Sequence, residues 1–562
     1  MIELQAPRGV SVGAKPDSTS SRFSKNTKPL DPAKSGVMMM KPMALRCLFL
    51  GLLFLIGPVA AQDPVLSHQV EQIMDRPAAR RAFWGVQFVD LDTGEVVYQN
   101  YEEKLFVPAS NAKLYSTALA LTRLGPDRRF ATKLVADEQL GESGGIQGDL
   151  LLIGGADPNF SSRIVPYNPK AEYGDDPLEP VRRLAQQAYD RGLRSVAGNI
   201  VGDDSRFVWT PYPEGWSVED STWSYGAPVS SLSFNDNRIE ILVRPGAAAG
   251  QPATLRLEPS VGYYAVHNLT RTATTRTVAR ALSIELKPEQ KAVRLWGDIS
   301  VRSPGRELSI AVDDPALFAA IALKQELERL GVEVAGTPAA KHYDLAEAPD
   351  LKGGPPATLQ AYPLELASIE SAPLREIIKI TNKTSQNLHA EMLLREVGYS
   401  LRGVGSHEAG IEEMRTFLKE AGLSPWEFFL SDGSGLSRKD LVSPAATVKL
   451  LRHMWNSPLR EAYVESLATA GEDGTLDWRF SRSTAKSRVS AKTGTLSHVT
   501  ALSGYATTLD GRHLAFSIFV NNFGVSTSYI RNLVDQIVIA AVESTPSNVT
   551  ATEPAAAVAG GP

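Results

Sequence analysis

Strand-pair signals at the two ends of the chain constrain the fold more than any other feature. From Trp84, the run WGVQFVDLDTGEVVYQN reads as two strands around a turn at Asp92-Thr93-Gly94, residue types suited to a tight hairpin. Near the carboxyl end, VSAKTGTLSHVTALSGYATTLDGRHLAFSIFVNN reads as three antiparallel strands, with Asp510-Gly511 at one turn. Helical spacing follows each group. A helix opening near Ser110 ends before Gly125, and a last helix over about 526–542 sets Tyr529, Leu533, Ile537 and Ala540 on one stripe. An isolated hairpin is marginal in water. The two groups are therefore expected to join in one antiparallel sheet flanked by helices, an α+β fold.

The middle of the chain has another texture. Between 133 and 354, short runs such as GDLLLIGG, NRIEILVRPG and AVRLWGDISV alternate with Gly, Pro and Asp turns, interrupted by the helical stretches LEPVRRLAQQAYDRG and PALFAAIALKQELERLG. This predicts one or two β-rich modules inserted into a first domain made of segments 62–132 and 355–545. The low-complexity tail, 546–562, is expected to be disordered.

At the amino end, residues 1–37 are polar, basic and aperiodic, which predicts disorder or a misassigned start. Residues 38–61 carry Lys41 and Arg46, an apolar run at 47–56, and the small residues Val59, Ala60 and Ala61. That is the pattern of a signal peptide cleaved before Gln62, and its apolar run is shorter than the roughly 20 residues of a membrane span. The only cysteine, Cys47, lies inside it. The mature chain is then expected to have no thiol for catalysis, disulfides or metal, so an exported enzyme must use another nucleophile. A net charge of −5 argues against nucleic acid as partner, and the eight histidines show no metal spacing.

Three short motifs stand out by their order. Ser110-Asn-Ala-Lys113 opens an apolar helix, Ser385-Gln-Asn387 separates two helical segments, and Lys492-Thr493-Gly494 lies on a strand before a hairpin. Each is weak alone: Ser-x-x-Lys recurs at Ser483, and Ser-x-Asn at Ser24 and Ser233. Together and in this order they resemble the penicillin-recognising serine enzymes, which are D,D-peptidases, transpeptidases and serine β-lactamases.

The residue types fit that chemistry. A serine needs a neighbouring base, and a lysine serves only if burial or nearby cations (here Lys492) lower its pKa. Ser110 is thus the expected nucleophile and Lys113 its base. Ser385 can relay a proton to the leaving amine, and Asn387 can orient Lys113 and the substrate backbone. Lys492, Thr493 and Thr495, with Gly494 between them, can bind a terminal carboxylate. By resemblance, the N–H groups of Ser110 and Thr495 form an oxyanion hole. Gly141-Glu-Ser143-Gly-Gly145 matches a nucleophile elbow, but no helix follows it, so a hairpin loop is expected. His389 reads as structural, and the glycine-rich stretch around Ser434 as a turn.

About 270 residues separate Lys113 from Ser385. An insertion of that size after the serine helix resembles the D-alanyl-D-alanine carboxypeptidase/endopeptidase family of low-molecular-mass penicillin-binding proteins. GGADPNF, GNIVGDDSRF, GWSVEDSTWSYGAPVSSLSFNDN and GEDGTL also look like that family; the resemblance covers about 75–545. Gln386 departs mildly from the superfamily, where Asp is common. The resemblance implies hydrolysis of D-Ala-D-Ala termini, and of D-Ala-diaminopimelate crosslinks, in periplasmic peptidoglycan. It implies stem peptides and β-lactams as partners, with no metal or organic cofactor. It also suggests that Asp220 meets a free amino group on the peptide's third residue. The rival readings are a serine β-lactamase with the same three motifs and a non-catalytic wall-binding protein.

Overall fold

Strands from the two ends of the chain meet in one sheet. The computed structural model describes residues 63–274, 280–354 and 361–545; the expectations for 1–37, 38–61 and 546–562 lie outside the described residues. The chain runs through helix α1 (Pro64–Met74), strands β1 (Phe83–Asp90) and β2 (Val96–Asn100) and helix α2 (Ala112–Leu124). It continues with β3 (Ala131–Ala136), β4 (Leu150–Ile153), α3 (Glu179–Asp190), β5 (Ile200–Val208), α4 (Pro315–Arg329), β6 (Pro338–Tyr343) and β7 (Leu364–Glu370). Helices α5 (Leu374–Lys383) and α6 (Asn387–Arg402) follow. The last elements used below are β8 (Ala468–Thr469), β9 (Val489–Leu496), β10 (Val499–Thr507), β11 (His513–Asn521) and α7 (Thr527–Glu543).

The first sheet has the order β8-β9-β10-β11-β1-β2, and all its pairs are antiparallel. Val86 lies opposite Ile518, joining β1 to β11. Alternation divides β11 between two cores: Phe516, Ile518 and Val520 pack with α1 and α7, and Ala515 and Phe519 with α2. The buried stripe of α7 is Ile530, Leu533, Val534, Ile537, Val538 and Ala541. Tyr529, expected on it, is 36% exposed. It sits in the first turn behind the Ser526 cap.

The insertion has a main sheet of order β6-β5-β4-β3-β7 and three small three-stranded sheets. Helices α3 and α4 pack on one face of the main sheet, over Leu134, Leu152 and Ile200. β4 pairs parallel with β5, and β5 with β6. Parallel neighbours need long crossovers, and α3 and α4 lie in them, so the insertion is more α/β in character than its short runs suggested. It also extends past 354, because β7 pairs antiparallel with β3 and completes the insertion's sheet. The first domain resumes at α5. The stretch from Gly141 to Gly145 is a turn, closed by Gly141 N donating to Gly145 O at 2.9 Å. It lies between the antiparallel strands β3 and β4.

Candidate active site

Ser110 occupies a single 3-10 turn, Ala109–Asn111, that leads directly into α2. The residue before it, Ala109, has φ +48°, a left-handed conformation that costs on the order of 1 kcal/mol for a residue with a side chain. Two glycines let neighbouring elements close on that turn. A Cβ on Gly435 would lie 1.8 Å from the Ala109 carbonyl oxygen, and one on Gly494 would lie 2.7 Å from that of Pro108. Asn111 ties the turn to β9, its Nδ2 donating to the Lys492 carbonyl at 3.0 Å.

Helix α2 is buried from Ala112 to Leu121, so Lys113 has no contact with solvent. Its Nζ lies 2.9 Å from Ser110 Oγ and 2.6 Å from both Asn387 Oδ1 and the Ser434 carbonyl oxygen. Burial pushes its pKa down to about 7, against the upward pull of Asp432, Glu391 and Asp440. Burial, rather than a neighbouring cation, is therefore the main cause. A neutral amine has two N–H groups and one lone pair. With the N–H groups given to Asn387 and Ser434, the lone pair faces Ser110 Oγ, as a general base requires.

Ser385 sits between α5 and α6 with φ +63°. Lys492, also fully buried, donates to Ser385 Oγ at 2.8 Å and to the Thr493 carbonyl at 2.9 Å. Burial and the neighbouring Lys113 hold its pKa well below the usual lysine range. Hydrogen bonds thus link Ser110, Lys113 and Asn387 in one group, and Ser385 and Lys492 in another beside the same cleft. Asn387 Nδ2 donates to the Tyr225 carbonyl at 2.8 Å, which ties it to the insertion. Lys492 has two of its hydrogen bonds made within the protein.

The cleft has a volume of about 760 Å³ and is lined by Ser110, Ser385, Asn387 and Thr495, with Asp220 and Tyr225 from the insertion. Thr493 turns away, donating its hydroxyl to Thr475 at 2.9 Å, and Gly494 is packed beneath. Thr495 is exposed at the rim, its Oγ1 3.5 Å from Arg531 Nη2. Asp220 is held at the rim by its own loop, accepting from Ser217 N and from the Tyr225 hydroxyl, each at 3.0 Å.

Several contributors carried no sequence signal beyond a quoted stretch. The Ser434 carbonyl is aimed by buried carboxylates. Glu391 accepts from Gly433 N at 3.0 Å and Ser434 N at 2.8 Å. Asp432 accepts from Gly435 N at 2.6 Å and from Trp216 Nε1 of the insertion at 2.9 Å. Burial and the nearby Asp432 push Glu391 up to about 8. Thr475 and Arg531 were likewise unmarked. Buried His389 faces Asp236 at 3.3 Å, away from the cleft residues.

The model of the D-Ala-D-Ala carboxypeptidase 3 (S13) family matches residues 66–543. A D-alanyl-D-alanine carboxypeptidase of Actinomadura sp. (strain R39) is 33% identical over 468 residues, covering 81% of each chain. The D-alanyl-D-alanine carboxypeptidase DacB of Haemophilus influenzae is 24% identical over 438 residues, 77% of this chain and 84% of that one. In fold, penicillin binding protein 4 of Haemophilus influenzae is similar with a TM-score of 0.69 at 22% identity, over 83% of this chain and 97% of that one. With a match running from α1 to the end of α7, the chain belongs to the D-Ala-D-Ala carboxypeptidase 3 (S13) family and is a serine-type peptidase.

Proposed function

We propose that Ser110 is the acylated nucleophile and Lys113 the base that activates it. The arrangement of Lys113, with two acceptors for its N–H groups and its third contact on Ser110 Oγ, carries this reading. Ser110 Oγ attacks the carbonyl carbon of the penultimate D-Ala while its proton passes to Lys113 Nζ. The N–H groups of Ser110 and Thr495 stabilise the oxygen that becomes negative. When the C–N bond breaks, the proton held on Lys113 passes through Ser385, which Lys492 orients, to the leaving nitrogen. Water then cleaves the ester and restores Ser110.

The substrate's terminal carboxylate is taken by the Thr495 hydroxyl with the Arg531 guanidinium behind it, and Thr493 and Gly494 shape the strand edge. Asp220 at the rim recognises a free amino group on the stem peptide. The same steps cleave D-Ala-diaminopimelate crosslinks, so the enzyme also serves as an endopeptidase. Its leader sends it to the periplasm, and no helix among the described residues is long and apolar enough to cross a membrane. The insertion, placed against the site through Asn387 and Asp432, sets it apart from a β-lactamase, and the assembled Lys113 and Ser385 contacts set it apart from a wall-binding protein without activity.

Benzylpenicillin tests the reading. Its ring-opened acyl group stays attached, so the protein should gain the full mass of the drug on the tryptic peptide containing Ser110, and D-alanine release should stop in parallel. Ser110→Ala should show neither adduct nor activity, while Ser143→Ala should keep both. Labelling of another serine would overturn the assignment, and rapid turnover of the drug would make the protein a β-lactamase.

A further inference from the structure

Among the described residues, helices α3 and α4 cover only one face of the insertion's main sheet. Register places Lys341, Asp203, Ile153 and Lys133 in one row across β6, β5, β4 and β3. The alternate residues, Leu134, Leu152 and Ile200, are buried under α3 and α4. Here the second face floors a cavity of about 540 Å³, with walls from Arg128 and Arg129 before β3, Arg206 of β5 and Tyr399 of α6.

The cavity is cationic. Arg128, Arg129, Lys133, Arg206 and Lys341 line it against a single lining acid, Asp203. Glu396, behind the wall, holds Arg206 at 2.7 Å and Arg128 at 3.3 Å. Glu365 holds Lys133 at 2.8 Å, and Asp203 holds Lys341 at 2.9 Å. Three carboxylates for five cations leave two positive charges over, in a chain whose net charge is −5. Arg129 is the clearest surplus: its guanidinium donates to the Ser371 carbonyl at 2.7 Å and makes no ion pair among the described residues.

Helix α6 measures the offset from the catalytic cleft. Asn387 opens it in that cleft, and Tyr399 stands twelve residues on in the cationic one, about 18 Å away at ~1.5 Å per residue. We propose that this cavity binds the carboxylates of a second, uncut stem peptide on the same peptidoglycan polymer. It would hold the polymer while Ser110 acts on the first stem peptide, an inference that rests on the function proposed above. Planar guanidinium groups suit carboxylates in particular, although phosphates on other wall polymers carry the same charge.

The intact enzyme is assayed on an N-acylated D-Ala-D-Ala peptide and on purified sacculi, with sacculus binding followed separately by co-pelleting. The double variant Arg129→Glu, Lys133→Glu changes two exposed-side groups outside the catalytic cleft. It should keep kcat/KM on the short peptide within twofold, while D-alanine release from sacculi and co-pelleting fall at least tenfold. Amidating the carboxylates of the sacculi should abolish wild-type co-pelleting, and stripping phosphodiester-linked polymers with cold hydrofluoric acid should leave it intact. Equal losses on both substrates, unchanged action on sacculi, or loss of binding on stripping would each overturn the proposal. If the wild type released no D-alanine from the short peptide, the catalytic reading would fail, and co-pelleting would still decide the cationic cavity.

Discussion

Asn387 accepts a hydrogen bond from Lys113 Nζ through Oδ1 and donates one to the Tyr225 carbonyl through Nδ2, at 2.6 Å and 2.8 Å. The side chain that steadies the buried lysine is therefore fastened to the insertion. Asn387→Ala removes both links. A lost hydrogen bond to a group of this kind is worth about 1.5–3 kcal/mol, so penicillin acylation should slow by roughly ten- to hundredfold. Asn387→Asp should act differently: a carboxylate beside Lys113 raises the lysine's pKa, and the acid limb of kcat/KM should move to higher pH. Equal pH profiles for wild type and Asn387→Asp would remove Lys113 as the titrating base.

For the wild type, kcat/KM should rise as pH rises through about 7, where Lys113 gives up its proton. Lys113→Arg keeps a cation that does not deprotonate in this range, and it should abolish acylation at every pH while the protein stays folded.

Stability should carry the same signature. The folded-state pKa of Lys113, about 7, lies below its ordinary 10.5, so between these values the unfolded chain binds more protons than the folded one. Stability contributed through this group is complete above pH 10.5 and is lost as pH falls towards 7. Lys113→Met should be less pH-dependent across that window and more stable than wild type at its lower end, as read by Tm. A wild-type slope retained in full by Lys113→Met would contradict a lysine buried in neutral form.

Gly494→Ala tests the packing around the nucleophile. Its new Cβ would lie 2.7 Å from the Pro108 carbonyl oxygen and 3.2 Å from Ala109 Cβ, pushing β9 off the Ser110 turn. Acylation should fall at least a hundredfold, with a Tm loss of only a few degrees. Wild-type acylation would show that the turn tolerates a looser fit.

Asp220→Ala should weaken kcat/KM for peptides with a free amino group on the third residue by about tenfold, and should leave their acetylated forms little changed. Equal losses for both would assign Asp220 only to its loop, where it already accepts from Ser217 N and the Tyr225 hydroxyl.

Much of this was legible because chemistry and periodicity both leave marks in sequence. Ser110, Lys113, Ser385 and Lys492 are side chains at fixed spacings, and the strands of the first sheet alternate or carry turn residues. What escaped was of another kind. The acceptors that aim Lys113 and Asn387 include the carbonyls of Ser434 and Tyr225, and any residue has a carbonyl. The burial of Lys492 and its hydrogen bonds to Ser385 and Thr493 likewise depend on neighbours far along the chain. β7 falls after a convincing boundary and rejoins the insertion through its register with β3, a long-range pairing that local pattern does not encode. Tyr529 was misplaced because an apolar stripe allows a one-position rotation until a neighbouring helix fixes it.

The pairing of β1 with β11 sets a timetable for the molecule. The first strand of the catalytic sheet is made early and waits for almost the last one, Val86 for Ile518, and non-local pairings of this kind close slowly. Ser110 and Lys113 emerge with the early part, but Lys492 and the Gly494 edge arrive only on β9, immediately before the strands that lock the sheet. A chain cut short anywhere in the insertion would carry a serine and a lysine without the wall that completes the site around them. A complete site thus becomes a property of the finished molecule alone.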